Sequence, residues 1–184
     1  MLRSVLALGA TLGVMAVALA ADSALDAAKS TMVATFKQES VPVDAPFLTF
    51  SGHINYDAAN AAAASASIDV ETASLDIGTA AARAEVRKPA WFDSGKYPMA
   101  SFRSTAIKPL TATRFAATGT LTIKGKALTI TVPIDVVPGT SGAAGSAFNG
   151  TLTISRQAYG IGDPQWNDEI DDQVGVRFHL VAHP

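Results

Sequence analysis

In the segment "ALTITVPIDVV", Leu128, Ile130, Val132, Ile134 and Val136 are apolar at every second position, with Thr, Pro and Asp between them. Only an extended strand puts residues i and i+2 on one face, so this spacing specifies a strand with one apolar side. The same period recurs along the chain. Met32, Ala34 and Phe36 share a parity in "STMVATFK", and Leu48, Phe50, Gly52, Ile54 and Tyr56 share one in "FLTFSGHINYD". Ala66, Ile68 and Val70 follow, then Phe102 with Ser104, then Leu121 with Ile123. Phe148, Gly150, Leu152 and Ile154 share a face in "AFNGTLTISR", and Val174, Val176, Phe178 and Leu180 close the chain. About eight such runs predict antiparallel strands with one side buried.

A flat sheet of that size leaves long unpaired edges. Closing it into an eight-stranded barrel removes them and leaves an interior for packed side chains or one small ligand. Splitting it into a two-sheet sandwich satisfies the same alternation, and periodicity does not choose between the two. The interruptions read as turns. "IKGKAL" is a Gly-centred hairpin connection, "VVPGTSGAAGSAF" is a Gly/Ser-rich loop, and "YDAANAAAAS" is an Ala-rich connection. One helix is expected, over residues 80–88, with Thr79 as its N-cap and Pro89 near its end.

The beginning of the chain has a different pattern. Arg3 precedes the apolar run "VLALGATLGVMAVALA", and Ala18-Leu19-Ala20 is a small-x-small cleavage site. This reads as a signal peptide over residues 1–20, cleaved after Ala20, with one domain over 21–184. Removing Arg3 moves the formal net charge from -2 to -3, which argues against nucleic acid as a partner. With no cysteine, disulfides and thiolate metal sites are excluded. A domain of this length buries enough apolar surface to be exported without staples, and a periplasm is the expected destination.

Chemistry-bearing patterns are sparse. His53 and His179 lie on the polar parity of their strands, where a cross-strand pair is conceivable, and His183 is at the end; none has metal-ligand spacing. "GDPQWNDEIDD" carries Asp163, Asp168, Glu169, Asp171 and Asp172 but not a calcium-loop pattern, so it reads as a solvated acidic loop with Trp166 as a lid anchor. Ser155 and Arg156 fall in strand context, no nucleophile elbow occurs, and "GTLTIKGK" is a hairpin rather than a phosphate loop. No catalytic residue, metal or cofactor is expected.

Between the strand runs lies "VRKPAWFDSGKYPMASFRST", residues 86–105. Its Trp91 and Phe92 offer large apolar surfaces to cap a core, Pro89 and Pro98 stiffen the connection, and Gly95 supplies a turn. Arg87, Lys88, Lys96 and Arg103 are expected at the rim. The small residues Ala34, Gly52, Ala66, Gly119 and Gly150 leave space if they point inward.

Five blocks in order, "FSGHINYD", "ASIDVETASLDIG", "EVRKPAWFDSGKYPMASFRST", "GTLTIKGKALTITVPIDV" and "ISRQAYGIG", give the chain a resemblance to the YceI-like family of secreted bacterial proteins. The resemblance spans nearly all of residues 21–184. It departs in "GTAAARAEVRKP", where alanines and Arg83 stand in a segment that often carries an acidic residue, and in the loose first strands. It implies an all-β fold: an eight-stranded antiparallel lipocalin-like barrel with one short inserted helix and an elongated apolar cavity. It also implies a periplasmic binding or carrier protein for a long-tailed isoprenoid amphiphile, a polyisoprenoid or a quinone. The alternative is a packed-barrel interaction or stress-response module serving a membrane redox partner. Expected partners are an isoprenoid lipid or quinone, a membrane redox protein, and a second copy in a homodimer. The residues expected to line the cavity are Phe50, Gly52, Ile68, Trp91, Phe92, Phe102, Leu121, Ile130, Val132, Phe148, Leu152, Val176 and Phe178.

Overall fold

The computed structural model describes residues 22–57, 60, 63–139 and 145–182. The expected signal peptide, His183 and part of the Gly/Ser-rich and Ala-rich loops lie outside the described residues.

Each alternating run is a strand. The strands are β1 (Asp22–Ala24), β2 (Thr31–Gln38), β3 (Val41–Pro46), β4 (Phe50–Asn55), β5 (Ser65–Glu71), β6 (Met99–Pro109), β7 (Arg114–Ile123), β8 (Lys126–Val137), β9 (Ala147–Ser155) and β10 (Gln173–Val181). They form one antiparallel sheet in the order β1-β4-β5-β6-β7-β8-β9-β10-β2-β3. The sheet curls on itself, and its ends meet through separate backbone contacts rather than a ladder. Leu25 bridges Ala182, and the Asp26 N–H donates to the Val181 carbonyl at 2.7 Å. Beyond β3, the Asp76 N–H donates to Pro46 O at 2.9 Å, and Phe47 bridges Leu75. The fold is therefore a barrel-like curled sheet, not a sandwich.

Among the described residues the strand count is ten rather than eight. The additions are short β1 and the edge strand β3, whose Pro42 and Pro46 are tolerated because nothing needs their missing N–H groups on the outer side. Two hairpins use two-residue turns with both φ values positive: Glu39 and Ser40 between β2 and β3, and Lys124 and Gly125 between β7 and β8. Such turns match the twist of the strands they join.

The inward parity mostly follows the sequence pattern. On β8, Val132 and Val136 are buried while Thr131, Pro133 and Asp135 are exposed. Two places differ. Leu48 is 66% exposed, because residues 47–49 form the crossing between β3 and β4 rather than a strand. On β6 the register shifts between Ser104 and Ala106, so the inward face runs Ala100, Phe102, then Ile107.

Helix α1 covers Ala80–Val86, shorter than 80–88. The Thr79 hydroxyl caps it by accepting from the Ala82 N–H at 3.1 Å. Pro89 disfavours a helical Lys88, and the chain turns instead, with the Phe92 N–H returning to Val86 O at 3.0 Å.

Candidate functional site

The curled sheet encloses a cavity of about 400 Å³. Its wall follows from strand parity. The end farther from α1 is walled by Ile54, Tyr56, Phe115, Val136, Phe148 and Leu180. Tyr56 packs edge-on against both Phe115 and Phe148, at 5.7 and 5.6 Å between ring centres. The middle is walled by Ala34, Ala66, Ile68, Phe102, Val132 and Val176. Toward α1 come Leu121, Ile130, Leu152 and Ile154.

That second end carries a plug of two segments. In the first, α1 contributes Ala82, Glu85 and Val86, and the following turn contributes Trp91 and Phe92. Trp91 is 8% exposed and packs with Val86, Ile123, Tyr159 and Ile161. Buried Thr72 anchors the turn, its hydroxyl donating toward the Tyr97 and Pro98 carbonyls at 3.0 and 3.1 Å. The second segment is residues 156–172, joining β9 to β10. Trp166 lies against Trp91 with ring centres 6.2 Å apart.

Arg156 organises the second segment. It is 2% exposed, and its guanidinium donates to five acceptors: Asp171 O at 3.1 Å, Ile161 O at 2.9 Å, Trp166 O at 3.4 Å, Asn167 Oδ1 at 3.0 Å and Ile170 O at 2.7 Å. A planar fork with five donors is the side chain able to gather so many loop carbonyls. Asp172 stands beside it. Burial opposes its ionisation, but donors from the Gln157 N–H, the Ser155 hydroxyl and Gln173, with the Arg156 charge, hold its carboxyl below the ordinary value of 3.8. Lys124, in the β7–β8 turn, ties the two plug segments together by donating to Gly160 O at 2.6 Å and to Ala90 O at 3.5 Å, and burial pulls its pKa down. Among the described residues, Trp91 Nε1 and the Tyr159 hydroxyl are buried without a hydrogen-bond partner, and burial raises the Tyr159 pKa.

A family model described as the YceI-like domain matches residues 24–182. The chain belongs to the YceI-like family. A UPF0312 protein of Pseudomonas savastanoi pv. phaseolicola is 31% identical over 170 residues, covering 86% of each chain. A UPF0312 protein of Vibrio cholerae is 30% identical over 118 residues, and this chain spans 62% of its length. The crystal structure of Burkholderia cenocepacia BcnA is similar at a TM-score of 0.81 with 41% identity, covering 86% of this chain and 99% of that one. A polyisoprenoid-binding domain from Saccharophagus degradans shares the fold at a TM-score of 0.72 with 18% identity, covering 88% and 98%.

Within this YceI-like barrel, eleven of the residues expected to line a cavity are on its wall: Ile68, Trp91, Phe92, Phe102, Leu121, Ile130, Val132, Phe148, Leu152, Val176 and Phe178. Phe50 and Gly52 are not. Phe50 is half-buried against the main core, and Gly52 is buried beneath Ile68, whose Cδ1 lies 2.9 Å from where a Gly52 Cβ would stand. The glycines do not leave empty pockets. The Phe102 ring covers Gly119 and the Phe178 ring covers Gly150, with ring carbons 2.6 and 2.9 Å from the missing Cβ positions. These glycines, having no side chain, leave room for the rings of the neighbouring strands.

Other expectations change. Arg103 is not at the rim; it pairs with Asp69 on the outer face of β5 and β6 at 2.7 and 2.8 Å. His53 and His179 are not ladder neighbours, and His179 meets Asn149 at 2.7 Å instead. Segment 163–172 is more than a solvated loop, since its backbone closes over Arg156. Arg156 is the residue that sequence reasoning missed. Its signal was a lone arginine directly after the apolar parity of β9, followed by two glycines, Gly160 and Gly162, both with positive φ. Among the described residues no three His, Asp or Glu side chains are grouped to hold a metal, and no helix is long and apolar enough to cross a membrane.

Proposed function

We propose that this YceI-like protein is exported to the periplasm and carries an amphiphile with a long isoprenoid tail, a polyisoprenoid or an isoprenoid quinone, inside its barrel. The observation that carries this reading is a cavity of about 400 Å³ running along the barrel between aliphatic and aromatic walls. That volume is in the usual range for small-molecule sites. An apolar tail gains roughly 0.8 kcal/mol per buried CH₂, so a five-carbon unit contributes about 4 kcal/mol before the cost of ordering it. Two or three units then suffice without a strong polar contact. The fold shared with a polyisoprenoid-binding domain supports the tail class. A packed-barrel interaction module would need a filled interior, which this cavity disfavours. The apolar wall favours binding over catalysis.

The test is uptake of an isoprenoid quinone with tryptophan fluorescence as readout, in the wild type and in Ala66→Phe. Ala66 lines the cavity on β5 and is half-buried. Gly52 is unsuitable for a blocking residue, because its Cβ would strike the Ser67 carbonyl on the neighbouring strand. A folded Ala66→Phe protein should lose at least tenfold in affinity. Affinity equal to the wild type would place the ligand outside the barrel.

A further inference from the structure

The β8–β9 seam is incomplete. β8 has 12 residues and β9 has 9, yet they pair only from Ile134↔Gly150 to Val137↔Ala147. On its other side β8 pairs with β7 along the whole length from Asp135 to Lys126. The cause is legible in the backbone. The Val136 N–H donates to Thr113 O, on the β7 side, at 2.7 Å. In a strand the backbone groups alternate sides, so even-numbered residues of β8 address β7 and odd-numbered ones address β9. Asp135↔Asn149 is then a pair that exchanges bonds with β9, and the next such pair would be Pro133↔Thr151. Pro133 has no N–H to give, and the ladder stops there.

Below that point the two strands flank a slot. Its edges are residues 127–132 and 151–155, about 17 Å of strand on the β9 side at ~3.4 Å per residue. Neither edge carries a charged side chain. Thr129, Thr131, Thr151 and Thr153 are exposed on the outside, and Leu128, 41% exposed, forms an apolar lip. Ile130 and Val132 on one edge and Leu152 and Ile154 on the other are cavity-wall residues. The two unladdered edges thus present uncharged residues to the outside and cavity-wall residues to the inside, while the barrel end beside them carries the plug on Arg156 and Trp91.

We propose that this slot, held open by Pro133, is the lateral portal through which the apolar tail of the ligand enters and leaves the barrel. The proposal rests on the tail-binding reading above. Passage through the wall lets a tail move sideways from a membrane or a partner's groove into the barrel while the plug stays folded.

The test compares exchange rates for decylubiquinone, followed by quenching of Trp91 and Trp166 in stopped flow. Pro133→Val restores the missing donor and should extend the ladder, slowing uptake and release together by tenfold or more while affinity changes less. A second variant does not depend on spontaneous zipping. The register of Asp135↔Asn149, continued, sets Thr131 against Thr153, and the chain has no cysteine of its own. Thr131→Cys/Thr153→Cys, joined by oxidation or by a short bis-maleimide and confirmed by intact mass, should block uptake. Reduction of the disulfide form should restore it. A joined, folded protein that takes up decylubiquinone at the wild-type rate overturns the portal and leaves tail binding standing. A wild-type protein that shows no quenching at saturating decylubiquinone overturns both.

Discussion

Replacing Arg156 tests whether the plug is built on one guanidinium. The side chain is 2% exposed and donates to five acceptors, four of them backbone carbonyls of residues 161–171. Arg156→Lys keeps the charge and most of the stem but has three donors, so at least two acceptors lose their partner. A buried polar group left unpaired costs about 1–3 kcal/mol, and some of these carbonyls will recover a water at the plug's surface. The expected cost is roughly 2–5 kcal/mol. For a chain of this size each kcal/mol lowers Tm by about 2–4 °C, which gives a fall of roughly 5–15 °C. Calorimetry or circular dichroism reads the size of the effect, and amide exchange reads its place. Protection should fall first at Ile161, Trp166 and Ile170 and last on β7. A Tm within about 1 °C of the wild type, or protection lost evenly across the sheet, would refute the idea that Arg156 organises this end of the barrel.

Trp91→Ala should cost about 3–5 kcal/mol by calorimetry, because it empties a buried site between the two plug segments. Trp91→Phe should cost much less, since the lost Nε1 has no hydrogen-bond partner to forfeit. Gly119→Ala should destabilise by about 1–3 kcal/mol or more, because its Cβ would strike the Arg103 carbonyl on the neighbouring strand and press on the Phe102 ring. The same variant should bind tails more weakly in a quinone titration. The depressed carboxyl of Asp172 sets an acid limb. Its contribution is fully present above the ordinary value of 3.8 and is lost as pH falls through its lower folded value. Melting curves from pH 5 downward should therefore show Asp172→Asn losing less stability than the wild type across that window.

The barrel was legible because a period of two survives wherever one strand face meets the core. Leu128 to Val136 and Val174 to Leu180 display it without interruption. The short β1 has too few residues to show a period, and β3, "VPVDAP", is masked by prolines that an edge strand tolerates. The inserted helix was legible from Thr79 and Pro89. Its length was not, because the helical formers continue past the point where the turn to Trp91 takes over. The cavity wall was legible as far as parity goes. Whether a glycine opens space or is covered depends on the rotamer of a ring on the next strand, and no pattern within one strand records that. Arg156 stayed hidden for a related reason. Its five partners are backbone atoms, which any sequence could supply. The break between β8 and β9 was written in the sequence as Pro133, but its meaning needed the side of β8 on which the missing N–H falls.

Native mass spectrometry of the protein, purified without detergent, tests the central claim most directly. We expect a one-to-one adduct that dissociates on activation, whose extracted lipid is an isoprenoid amphiphile, and that is absent from folded Ala66→Phe protein. Ligand-free wild-type protein that also fails to take up isoprenoid quinones or polyprenols of several tail lengths would contradict it.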